Sequence, residues 1–246
     1  MGRQEVKQIQ GIQVISRSAD ILRTLAQETD GLSLGQIAAR VNLPRSTVQR
    51  IVAALTIEGF ISSDKGYGGI RLGPEIQSLA QAAATDARDR IRPVMERIAD
   101  ETGETVDLAI LDGARMLFID QIVGSQRLRT VSSIGESFPL TTTANGKAAL
   151  AVMDPALATK LILAELGQHG AKPLATVLRE VEAIRQGALA RDENEHTEGV
   201  SAIGYAMRDP RGDIYAISTP VPSTRYDRVK DRLTEAMLRH LTGIAL

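Results

Sequence analysis

Apolar residues recur along this 246-residue chain at a helical and a strand period, and helical spacing dominates up to about residue 103. Ile15, Ala19, Leu22, Leu25 and Ala26 form the stripe of a first helix, which should end near Asp30 and Gly31. Leu34, Ile37, Ala38 and Val41 form a second stripe, and Ser33 with Gln36 three residues on has the spacing of a capping box. Asn42 and Leu43 break that stripe, and Pro44 suits the first turn of a new helix. Val48, Ile51, Val52 and Leu55 then repeat at i, i+3, i+4 and i+7. Two short helices joined by a tight turn predict a helix-turn-helix. Residues 61–72 follow as a β-hairpin around the glycine-rich tip Lys65 to Gly69, which extends the prediction to a winged helix-turn-helix over 1–73. Residues 74–102 predict a linker helix, with Pro93 expected to kink or divide it.

At Glu104 the period changes from helix to strand. Val106, Leu108 and Ile110 share one face, Asp112 and Gly113 mark a hairpin, and Met116 to Val123 form the returning strand. Gln126 to Ile134 reads as a third strand. Thr143 to Lys147 lead into a helix to about Met153, and Asp154 with Pro155 begins another to about Leu166. Lys172 with Pro173 opens a third, which stops at Gly187. Short strands follow near 188–191, 200–207 and 213–220, the last two joined by a turn at Asp209 to Gly212. Val229, Leu233, Met237 and Leu241 lie on a final amphipathic helix. The fold class is therefore α+β with two domains, the second an antiparallel sheet with flanking helices over 103–246.

The polar face of the helix after Pro44 carries the first chemistry. Arg45, Ser46, Thr47, Gln49 and Arg50 are small or hydrogen-bonding, and no carboxylate occurs from Arg40 to Arg50. Such a face suits a major groove. Arg and Gln can bind base edges in pairs, and the helix N-terminus attracts phosphate. Ser33 at the preceding helix start, and Lys65 and Arg71 on the hairpin, are placed to touch the backbone of double-stranded DNA. A plain helical hairpin with a solvated polar face is the rival reading, and a pure protein-interaction module leaves the Arg45–Arg50 face unexplained.

Charge supports the division. The whole chain has a net charge of −1, yet residues 1–72 hold 9 Lys and Arg against 6 Asp and Glu, while the remainder holds 20 against 24. A modestly basic module on an acidic body fits a regulator better than a nucleic-acid coat protein. With 0 Cys there is no disulfide frame and no thiolate chemistry. The first ten residues lack the apolar core of a signal peptide, and no apolar run approaches membrane-spanning length, so a cytoplasmic location with no membrane partner is expected.

In the second domain Gly146 lies at a loop-to-helix junction, where free backbone N–H groups would suit a carboxylate. Arg127 and Arg129, at i and i+2 on the expected third strand, would point to one face and could bind an acid. Enzyme readings fit less well. Gly146–Lys147 lacks the first glycine and the hydroxyl residue of a phosphate-binding loop. Asp192, His196 and Ser218 have no nucleophile elbow around the serine. The 3 histidines are widely spaced, and His196 beside Glu193 and Glu195 is only a weak metal pattern, so no metal or cofactor is expected and no catalytic residue is assigned.

Read together, these stretches resemble the IclR-type (isocitrate lyase regulator) transcriptional regulators. The resemblance is carried by LPRSTVQRIVAAL and the wing ending RLG, by RPVMERIADETGETVDLAILDG, by PLTTTANGKAALA and by AISTPVPSTR, in that order. It implies a homodimer or homotetramer that binds operator DNA, and a repressor of a metabolic operon is expected. It also implies a GAF-like C-terminal domain that binds a small effector, an organic acid or an aromatic or sugar-derived metabolite. Carried over by position, the effector site would include Ala144, Asn145, Gly146, Asp192, Glu195 and Ser218. Pro220, where the family often has serine or glycine, and Tyr205 depart from that pattern. The alternative is a metabolite-binding or hydrolytic domain with an accessory nucleic-acid-binding module.

Overall fold

A computed structural model describes residues 12–28, 30–63, 69–83, 86–169 and 172–241. The chain divides into two compact units, Met1–Ala84 and Thr85–Leu246.

The first unit begins with α1 (Gln13–Ala26), followed by α2 (Leu34–Arg40) and α3 (Arg45–Ile57). The first helix ends at Ala26, the last residue of its stripe and short of the expected stop near Asp30 and Gly31. Ile21 and Leu25 are its buried residues, whereas Ile15 is exposed. Ser33 and Gln36 form the reciprocal capping box expected of them. Asn42 adopts a left-handed conformation (φ 50°), and the Leu43 N–H donates back to the Ala38 carbonyl, which ends α2. Pro44 is the residue before α3 rather than its first one, and no side chain among the described residues caps that helix. Val48, Ile51 and Val52 are buried against Ile21, Leu25 and Ile37, each side chain contributing about 1.5–3 kcal/mol.

The C-terminal end of α3 closes with Gly59 at φ 75°, where the Gly59 and Phe60 N–H groups donate to Thr56 and Leu55. The hairpin follows as β1 (Ile61–Ser63) and β2 (Ile70–Leu72), paired antiparallel with Ser62 opposite Arg71. Leu32 adds a bridge to Ile70, so the hairpin is anchored to the segment before α2. The tip, with Lys65, lies outside the described residues. The helical stretch expected over 74–102 is two helices, α4 (Pro74–Ala83) and α5 (Asp86–Thr102). Their division falls between Ala83 and Asp86, not at Pro93, which α5 contains.

The second unit is a six-stranded antiparallel sheet between two helical layers. Its strands are β3 (Val106–Asp112), β4 (Arg115–Ile122), β5 (Ser137–Phe138), β6 (Ala190–Glu193), β7 (Val200–Arg208) and β8 (Ile214–Pro222), in spatial order β5-β4-β3-β8-β7-β6. The helices are α6 (Ala144–Val152), α7 (Pro155–His169), α8 (Leu174–Arg185) and α9 (Ser223–Leu241). One sheet face packs on α5 and α9, through Ile91, Met95, Ile98, Leu233 and Met237. The other packs on α6, α7 and α8, through Ala148, Leu150, Ile162 and Val177. Side chains alternate between these layers. Val106 and Leu108 face α5, so Asp107 faces the opposite layer.

The segment Gln126 to Ile134 is a loop, not the third strand its alternation suggests. Its apolar side chains Leu128, Val131 and Ile134 are exposed, so no buried face fixes them in a sheet.

Candidate functional site

The α3 helix presents Arg45, Ser46, Gln49 and Arg50 as exposed side chains, with Thr47 half-buried. Its uncapped N-terminus and this carboxylate-free face together form a surface suited to phosphate and base edges. Arg50 also borders a groove of about 530 Å³ that α1, the end of α3 and the turn after it line with Val14, Ile57 and Phe60. Ser33 is exposed, but its hydroxyl is engaged in the cap of α2. Arg71 is exposed on β2.

In the second unit a cavity of about 300 Å³ lies on the α6 face of the sheet. Two neighbouring cross-strand rows supply its floor. Asp107 pairs with Ser218, and Ser218 with Gly204. One row on, Pro220 pairs with Ala202, and Ala202 with Asp192. Thr143, Ala144 and Asn145 close one side from the start of α6, while Thr130 to Ser132 and His196 to Thr197 come from loops. Gly204 allows this approach, since a Cβ there would stand 2.7 Å from the Ala144 carbonyl carbon.

Electrostatics mark the same place. Asp107 accepts hydrogen bonds from Gln121 Nε2 (2.6 Å) and Ser132 Oγ (2.8 Å), but burial dominates and pushes its carboxyl up to about 6. Burial likewise raises Asp192 to about 6, although its Oδ1 accepts from the Glu195 N–H at 2.9 Å. His196 is held below the ordinary histidine value by burial and then by the charge of Arg115. Asn145 is buried, and its Nδ2 has no hydrogen-bond partner among the described residues. No group of residues able to hold a metal ion occurs among the described residues.

Four of the expected effector residues, Ala144, Asn145, Asp192 and Ser218, line this cavity. Four do not. Arg127 and Arg129 are exposed on the 126–134 loop, and Arg129 donates to the Gln126 carbonyl; without a strand the i, i+2 rule does not bring them to one face. Gly146 offers no free N–H, because that group donates to Thr143 Oγ1 (3.1 Å) and Asn145 Oδ1 (2.9 Å). It is a close-packing glycine, since a Cβ would meet Leu140 Cα at 2.5 Å. Glu195 is held in a ring of charges, bonded to Lys147 at 2.8 Å and Lys172 at 2.7 Å, with Glu180 completing the ring.

Comparison with known proteins identifies the architecture. The IclR helix-turn-helix domain matches residues 14–65, and the bacterial transcriptional regulator IclR C-terminal domain matches residues 79–244. The chain belongs to the IclR family of transcriptional regulators. It is 41% identical over 237 residues to the HTH-type transcriptional regulator Rv1719 of Mycobacterium tuberculosis, covering 95% of this chain and 92% of that one. It is 37% identical over 239 residues to the HTH-type transcriptional regulator TtgV of Pseudomonas putida, covering 95% and 91%. Among solved structures, an IclR-type regulator from Alicyclobacillus acidocaldarius superposes with a TM-score of 0.73 at 20% identity, covering 94% of this chain and 97% of that one. An IclR homologue from Microbacterium hydrocarbonoxydans, solved with 4-hydroxybenzoate, gives 0.69 at 17% identity, covering 94% and 100%.

This IclR-family chain is thus a ligand-responsive, DNA-binding transcriptional regulator and not an enzyme. Sequence reasoning missed Asp107, Thr143, Phe118 and Phe138 as cavity residues of the regulator. Asp107 carried one usable signal: an acid alternating with Val106 and Leu108 on a central strand has to face the second layer. Pro220 does line the cavity. Tyr205 packs on the opposite, α5–α9 core. No helix among the described residues is long and apolar enough to cross a membrane.

Proposed function

We propose that this regulator represses a metabolic operon in the cytoplasm as a homodimer or homotetramer, with α3 as its recognition helix. Arg45, Ser46, Gln49 and Arg50 contact bases and phosphates, Thr47 supports the close approach, and Arg71 and Lys65 on the wing contact the backbone. The observation that carries this reading is the exposed, carboxylate-free face of α3 beside its uncapped N-terminus. The effector, a small organic molecule, occupies the cavity bounded by Asn145, Asp107, Asp192 and Ser218. It binds one arrangement of the protein more tightly and so shifts the population competent for the operator.

A gel-shift assay with DNA from upstream of the regulator's own gene, at two salt concentrations, tests the DNA half of the reading. A discrete shift that resists competitor DNA is expected. Binding that disappears with competitor and moderate salt would reduce the interaction to phosphate attraction.

A further inference from the structure

We propose that the cavity takes an uncharged aromatic molecule bearing a hydroxyl group, and that it discriminates against carboxylates of the same size. This rests on the reading of the cavity as the effector site.

Three polar groups decide the chemistry. Asp107 and Asp192 line the cavity at 1% and 5% exposure. The hydrogen bonds they receive come from neutral donors: Gln121 and Ser132 for one, the backbone N–H groups of Glu195 and His196 for the other. No Lys or Arg is among the described residues that line the cavity. The nearby charge of Lys147 is engaged by Glu180 and Glu195. A ligand carboxylate would add negative charge where water screens it poorly.

The third group is Asn145 Nδ2, which is buried, has no partner among the described residues and is in need of an acceptor. An ammonium ligand suits the two carboxylates but offers no acceptor, so it leaves Nδ2 unsatisfied. A carboxylate suits Nδ2 but not Asp107 and Asp192. A hydroxyl both donates and accepts, and so serves both sides.

The apolar part follows from the walls. Phe118 and Phe138 meet edge to face at 4.7 Å between ring centroids, and Phe138 meets His196 in the same way at 5.0 Å. A ligand ring continues this edge-to-face series, and about 300 Å³ leaves room for a substituted ring.

Calorimetric titration of the full-length protein at neutral pH with phenol, benzoate and benzylamine tests this, because the three share one ring and differ in charge. Phenol is expected to bind saturably and at least tenfold more tightly than either of the others. Asn145→Ala should weaken phenol at least tenfold. It should not disturb the fold, because Thr143 Oγ1 still accepts the Gly146 N–H. Asp192→Asn should narrow the gap between phenol and benzoate. Benzoate or benzylamine binding as tightly as phenol, or no binding by any of the three, overturns the proposal. Ala202→Phe, which fills the cavity, separates this from the reading beneath it. If benzoate wins and is lost in Ala202→Phe, the hydroxyl assignment falls and the cavity stands. If phenol binds Ala202→Phe unchanged, both fall. Thermal unfolding of each variant confirms that it is folded.

Discussion

Replacing Asp107 by Asn should stabilise the second unit at pH 8 and not at pH 4. Burial places the folded-state carboxyl at about 6, against an ordinary value of 3.8. Below pH 3.8 the group is protonated whether the chain is folded or not, and the stability it contributes is fully present. As pH rises, the unfolded chain ionises first, and that stability is lost until pH passes about 6. A displacement of this size corresponds to about 3 kcal/mol. Asparagine avoids the loss but weakens the short bonds from Gln121 and Ser132, leaving a net gain of about 1–3 kcal/mol at pH 8. In a unit of this size that is several degrees of melting temperature. Asp192 loses stability in the same pH window, whereas the depressed histidine of His196 works in the opposite sense. Subtracting wild type from variant at each pH removes both. Thermal melts of the two proteins from pH 4 to pH 8 supply the measurement. A difference that does not grow with pH, or that is destabilising at pH 8, would refute the assignment of Asp107 as a buried, uncompensated acid.

Three further outcomes follow from the same geometry. Gly146→Ala should destabilise the second unit by about 1–3 kcal/mol through overpacking against the Leu140 backbone, visible as a lower melting temperature; an unchanged melt would mean that α6 is not held as described. Lys147→Met should cost about 1–3 kcal/mol in chemical denaturation, because Glu180 and Glu195 each lose one charge-assisted bond and keep the other to Lys172, and a neutral result would show that Lys172 alone satisfies both. Arg50→Ala should weaken operator binding by about 1–3 kcal/mol in a fluorescence titration, and unchanged affinity would remove Arg50 from the recognition surface.

The first unit was legible because its determinants are local. Helical spacing in α2 and α3, the Ser33–Gln36 cap and the Asn42 break all act within a few residues, and the structure realises each of them. Alternation alone misled at 126–134, where Leu128, Val131 and Ile134 mimic a strand but have no sheet face to bury them. The cavity was half legible. Asp192 and Ser218 stood out by position, but Asp107 becomes buried only when α6 covers the sheet from a distance in sequence. Gly146 shows the limit in another form: a glycine before a helix reads alike whether it frees an N–H or lets two backbones touch. The Lys147–Glu195 contact spans 48 residues and leaves no local trace.

The most direct test of ligand control is fluorescence anisotropy of labelled DNA from upstream of the gene. Competitor DNA is present throughout, and wild type is compared with Ala202→Phe in the presence and absence of the tightest-binding ring compound. The expected result is a shift in operator affinity of about fivefold or more in wild type, and unaltered DNA binding with no shift in the cavity-filled variant. The same shift in both proteins would contradict control through this cavity.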